Sequence, residues 1–132
     1  QAVLHCELLV TATAQQGGEV IFTLAESPNA AERTLIIFDF DNGHMRVDTR
    51  TASLDPQCRG DVKEAPLPLH PGKPLEMRLF VDGSVLEVYA NHRVVVSSRL
   101  YPTRTSHLRL FGQCCGGLAQ VISLKLWKLG NR

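Results

Sequence analysis

At 132 residues, with 44% apolar and 20% charged residues, the chain has the size and balance of one ordinary globular domain, able to bury a core without metal or disulfide support. A formal charge of +1 with scattered basic residues provides no field to attract nucleic acid or an anionic membrane, and no apolar run is long enough to span a bilayer. The opening at Gln1, without a charged and apolar leader, reads as an excised or processed piece.

The first segment, residues 2–12, alternates: Ala2, Leu4, Cys6, Leu8 and Val10 are apolar while His5, Glu7 and Thr11 interleave, the period of a half-buried strand. Cys6, on the apolar beat, reads as a buried free thiol. Gln15-Gln16-Gly17-Gly18 makes a turn, after which Val20, Phe22 and Leu24 resume the alternation. Residues 34–49 form a hairpin around Asn42-Gly43, the pair that suits a type I′ turn. That turn predicts Phe38 opposite Val47 and Ile36 opposite Thr49 in the core, with Asp39 opposite Arg46 and Ile37 opposite Asp48 outside. Residues 51–74 read as a long loop with one short edge strand hinted at by Leu67 and Leu69. Residues 75–90 make a second hairpin about Asp82-Gly83, predicting Leu79 opposite Leu86 inside, and Arg78 opposite Glu87 and Glu76 opposite Tyr89 outside. A tight Asn91-His92 connection leads into a strand over 93–100, followed by short strands over 107–111 and 118–128. About nine strands and no helical periodicity predict an all-β fold, a two-sheet antiparallel β-sandwich of jelly-roll or concanavalin-like type, occupying 1–132 as one domain.

Cys6, Cys58, Cys114 and Cys115 lack zinc-site spacing, so neither a metal nor another cofactor is expected. Adjacent Cys114 and Cys115 are poorly placed to bridge each other. The five histidines are dispersed, and no nucleophile elbow supports a Ser-His-Asp arrangement. Trp127, beside Lys125 and Lys128, suits packing better than a sugar platform.

The run Leu79-Phe80-Val81-Asp82-Gly83-Ser84-Val85-Leu86-Glu87-Val88-Tyr89 within residues 75–91 resembles the signature of the C-terminal sandwich of glycoside hydrolase family 32, the invertases, levanases and inulinases. The likeness continues through Ser97-Ser98-Arg99-Leu100-Tyr101-Pro102 and the ending with Gly116-Gly117, Val121, Ser123-Leu124 and Trp127, and upstream Asp48-Thr49-Arg50-Thr51-Ala52-Ser53 is similar to the family's aspartate-arginine-serine stretch. Three departures stand out: Gly83 replaces a usual arginine, the Asn91-His92-Arg93 turn is one residue shorter, and Thr49 separates Asp48 from Arg50, moving the arginine to the other strand face. The resemblance implies a non-catalytic accessory domain whose partner is a β-propeller catalytic domain, since no propeller motif occurs here and no carboxylate pair has an evident site around it. It also favours an extracellular setting.

Similar sandwiches occur as fructan-binding modules of carbohydrate-binding module family 66, which implies fructan or another fructose-containing sugar as a second partner. Asp48, Arg50, Arg78, Glu87 and Tyr89 are the candidate carbohydrate-binding residues, offering bidentate acceptors and donors and one aromatic ring. The plainer reading of Arg78 and Glu87 is a cross-strand ion pair, and of Tyr89 an edge cap. A laminin-G or concanavalin-type interaction module is the alternative, since Phe80-Val81-Asp82-Gly83 suits it too.

Overall fold

A computed structural model describes residues 5–14, 18–26, 31–58, 60–69, 73–82, 84–99, 109–115 and 119–128; the side chains of residues 5, 6, 14, 25, 26 and 109–128 lie outside that description. The readings of the Cys6, Cys114, Cys115 and Trp127 side chains therefore fall outside the described residues.

Ten strands are found among the described residues, one more than the pattern suggested: β1 (His5–Ala14), β2 (Glu19–Glu26), β3 (Thr34–Asp39), β4 (His44–Asp48) and β5 (Val62–Pro66), then β6 (Leu75–Asp82), β7 (Val85–Ala90), β8 (Val94–Arg99), β9 (Arg109–Cys115) and β10 (Ala119–Lys128). They form two five-stranded sheets, one ordered β10-β1-β6-β7-β8 and the other β5-β4-β3-β2-β9. Every pairing is antiparallel. The fold is the all-β sandwich that the alternation called for.

Strand parity explains the core. Leu8, Val10, Met77, Leu79, Leu86 and Val88 from the first sheet and Val20, Phe22, Ile36, Phe38, Met45 and Val47 from the second are all buried in one apolar cluster. Successive side chains in a strand point to opposite faces, so the intervening residues form the outer surfaces. Deleting the Phe22 ring, which is 1% exposed, should cost about 3–5 kcal/mol by the usual cavity argument.

Both hairpin registers differ from the sequence expectation, each by two residues. In the first, Phe38 faces Met45 and Ile37 faces Arg46, not Val47 and Asp48. A four-residue loop, 40–43, replaces the two-residue turn. The Asp39 carboxylate builds it, accepting from the Asp41 and Asn42 amides at 2.9 and 3.2 Å and from Asn42 Nδ2 at 2.7 Å, while Gly43 N donates to the Asp39 carbonyl at 2.9 Å. Gly43 takes φ 64°, but Asn42 does not have positive φ, so the type I′ geometry is absent there. Burial raises the Asp39 carboxyl pKa, yet these hydrogen bonds and the Arg46 charge outweigh it and hold it below the ordinary value. In the second hairpin Asp82 pairs with Val85, so Leu79 faces Val88, Arg78 faces Tyr89 and Phe80 faces Glu87.

The short edge strand lies at Val62–Pro66, not at Leu67 and Leu69. Leu67 is instead a fully buried core residue just beyond it. The connection before that strand is tied at its two ends: Thr49 N donates to Asp61 O at 2.9 Å and Asp61 N to Thr49 Oγ1 at 3.0 Å. Beneath it Glu32 is fully buried and accepts the Leu54 amide at 2.8 Å.

Candidate functional site

The outer face of the first sheet carries a depression of about 560 Å³, within the range typical of small-ligand sites. Register dictates its floor. Glu7, Phe80 and Glu87 form one row across β1, β6 and β7, and Leu9, Arg78 and Tyr89 form the next. Acids thus flank a half-buried ring in one row, and a leucine and a tyrosine flank a guanidinium in the other. With strands about 4.8 Å apart, three of them span roughly 10 Å, enough for one hexose ring.

Arg78 does not pair with Glu87 as the expected register had it. Its Nε lies 3.1 Å from Glu7 Oε1, an ion pair across the β1 side. Glu87 instead accepts from Tyr89 Oη at 3.0 Å through Oε2. That hydrogen bond, then the Glu87 charge, then burial raise the Tyr89 phenol above its ordinary pKa, so the hydroxyl stays protonated as a donor. Among the described residues the second Glu87 oxygen and the two Arg78 η nitrogens have no partner. One acceptor and a forked donor are therefore left for a ligand, beside the 42% exposed Tyr89 ring.

Asp48 and Arg50 are elsewhere. Both line a separate depression of about 340 Å³ with Ile37, Arg46, Val62 and Glu64, on the outer face of the second sheet. Arg50 grips Asp48 bidentately, Nε to Oδ1 at 3.0 Å and Nη2 to Oδ2 at 2.8 Å, and the Arg50 amide adds a third bond at 3.0 Å. Arg50's side-chain hydrogen bond leads the causes that hold the Asp48 carboxyl below its ordinary value against burial. The spacing Asp48-Thr49-Arg50 allows this clamp, with Thr49 turned inward at 2% exposure. Both Asp48 oxygens are spent within the protein.

The five candidate residues thus divide into a group of three on one sheet and a pair on the other. Sequence reasoning missed Glu7, Glu76, Asn91 and His92, which also line the larger depression. Glu7 stood on the polar beat of its strand, but only the pairing of β1 with β6 reveals what it meets. Asn91 belongs to the frame: its Oδ1 accepts the Glu76 amide at 2.8 Å and its Nδ2 donates to Pro74 O at 3.1 Å. Among the described residues no group of three or more His, Cys, Asp or Glu is placed to hold a metal ion.

Comparison with known proteins bears on this geometry. The family model for glycosyl hydrolases family 32 C terminal matches residues 1–128. An acid β-fructofuranosidase of Capsicum annuum is 33% identical over 91 residues, which is 65% of this chain and 14% of that protein. In fold the chain is similar to exo-inulinase from Aspergillus awamori, with TM-score 0.82 and 17% identity over 98% of this chain and 26% of that one. It is similar as well to the carbohydrate binding module CBM66 from Bacillus subtilis, with TM-score 0.67 and 12% identity over 93% of this chain and 74% of that one. The chain spans about a quarter or less of the length of these two enzymes, and at such identities the structural likenesses speak to fold alone.

Proposed function

Since the chain belongs to the family 32 glycosyl hydrolase C-terminal domains, an accessory β-sandwich module, we propose that it serves a fructan- or sucrose-cleaving glycosidase in two ways: stabilising a β-propeller catalytic domain, and holding a terminal fructose unit on the outer face of its first sheet. It contributes no catalytic group of its own on this reading.

The observation that carries the sugar-binding half is the grouping of Arg78, Glu87 and Tyr89 in one depression with unused hydrogen-bonding capacity. Sugar hydroxyls both donate and accept, and so ask for a carboxylate, a guanidinium and an apolar ring face within one hexose width. Among the described lining residues, three carboxylates, Glu7, Glu76 and Glu87, against the single guanidinium of Arg78 favour a neutral sugar over a phosphorylated one. Asp48 and Arg50 serve the fold instead, because each satisfies the other.

Affinity electrophoresis of the chain in levan and inulin, with free fructose as competitor, tests this half. Retardation is expected for the wild type and for Asp48→Ala, and its loss in Glu87→Ala. The stabilising half is tested by thermal unfolding of a longer protein carrying the propeller, with and without these residues. An unchanged propeller transition would remove that role.

A further inference from the structure

Two residues at the lip of the same depression, Asn91 and His92, hold φ of 52° and 54°. They are the only described non-glycine residues with positive φ. In that region Cβ crowds the following carbonyl; glycine adopts it without strain, and asparagine and histidine bear it at a similar, smaller cost than other side chains. Arg93 N donates to Ala90 O at 3.0 Å, closing a turn with the two positive-φ central residues that a type I′ hairpin calls for, and glycine is the favoured second one.

Asn91 has a structural reason to be there, since its side chain ties the turn to the start of β6. His92 has none. It is exposed and makes no hydrogen bond or ion pair with the described residues. The chain therefore has an imidazole where a glycine would relax the backbone, in the lining of a depression whose floor offers donors and an acceptor unused among the described residues. Strain held at a site that lines a pocket is the pattern of a residue retained for what it touches.

We propose that His92 is a ligand-contacting residue of this depression, closing its rim over a neutral, hydroxyl-rich sugar and bonding one hydroxyl through its ring. The proposal rests on the sugar-binding reading of the depression given above. A neutral imidazole carries one donor and one acceptor, so it serves a hydroxyl in either sense. A purely structural turn residue predicts no coupling between position 92 and sugar affinity.

The test uses the full chain, with levan, inulin and fructose as probes and thermal unfolding as a parallel readout. His92→Gly should raise Tm by about 2–4 °C through relief of the left-handed backbone, and yet weaken binding about fivefold or more, the value of one hydrogen bond. His92→Asn, which tolerates the same φ, should leave Tm unchanged and also weaken binding, separating the ring from the turn. Full affinity in either variant, or no gain in Tm for His92→Gly, would overturn the proposal. If Glu87→Ala abolishes binding while both His92 variants keep it, the sugar site survives and only the role of His92 falls. Absence of any binding by the wild type would overturn both.

Discussion

Thr34 is 1% exposed and its hydroxyl has no hydrogen-bond partner among the described residues, an uncompensated buried polar group. Thr34→Val removes the orphan at nearly constant volume and should stabilise the fold by about 1 kcal/mol in urea unfolding. Asp48 gives a pH signature of opposite character. Its folded pKa lies below the ordinary 3.8, so the Arg50 clamp contributes its full stability above that value and loses it as pH falls through the lower folded pKa. Wild type and Asp48→Asn should therefore differ in Tm at neutral pH and converge in strong acid; with the Arg50 side chain 66% exposed, the difference should be small. For the other sheet, Glu87→Gln should lower the Tyr89 phenol toward its ordinary pKa of 10.0 in an ultraviolet titration. Residue types were legible from sequence because charges and rings on the polar beat of a strand are conspicuous. Their partners were not: Arg78 reaches Glu7, far away in the chain, and no local pattern encodes which strand lies beside β6.

At the scale of elements, the alternation predicted which side chains face inward, while the turns misled about who faces whom. Asn42-Gly43 looks like a two-residue turn, but the Asp39 carboxylate captures the loop amides first and lengthens it to four. The slip is by two residues in both hairpins, so every side chain kept its predicted face, and Phe38, Met45, Leu79 and Val88 are all in the core. The strand at Val62–Pro66 was hidden because an edge strand with a mostly exposed pattern has no apolar beat to read. Its approach loop depends on Gly60, where a Cβ would overlap the Thr49 carbonyl. Gly60→Ala should break the paired Thr49–Asp61 hydrogen bonds and cost about 2–3 kcal/mol, visible as a lower urea midpoint. Gly43 is constrained twice, by φ 64° and by Pro68 Cα at 2.8 Å from an added Cβ.

Across the whole molecule, a sandwich of open sheets must guard its edges. β8 ends one sheet and presents Val95, 53% exposed, but exposed arginines at 93 and 99 bracket it. On the same side β5 ends the other sheet with Lys63, Glu64 and Pro66, and Lys63 Nζ bonds Ser98 Oγ of β8 at 3.3 Å, lacing the two sheets together. Replacing both arginines by valine should produce concentration-dependent association in light scattering, whereas the wild type should stay dispersed. The opposite margin of the first sheet has a different character, because there β10 lies against β1 in antiparallel register, with Cys6 beside Lys128. Tension applied to the first and last strands therefore pulls at the same end of one ladder. Its hydrogen bonds would be loaded singly in sequence rather than together, so force applied to these two strands should unzip the module at low load instead of meeting resistance in shear.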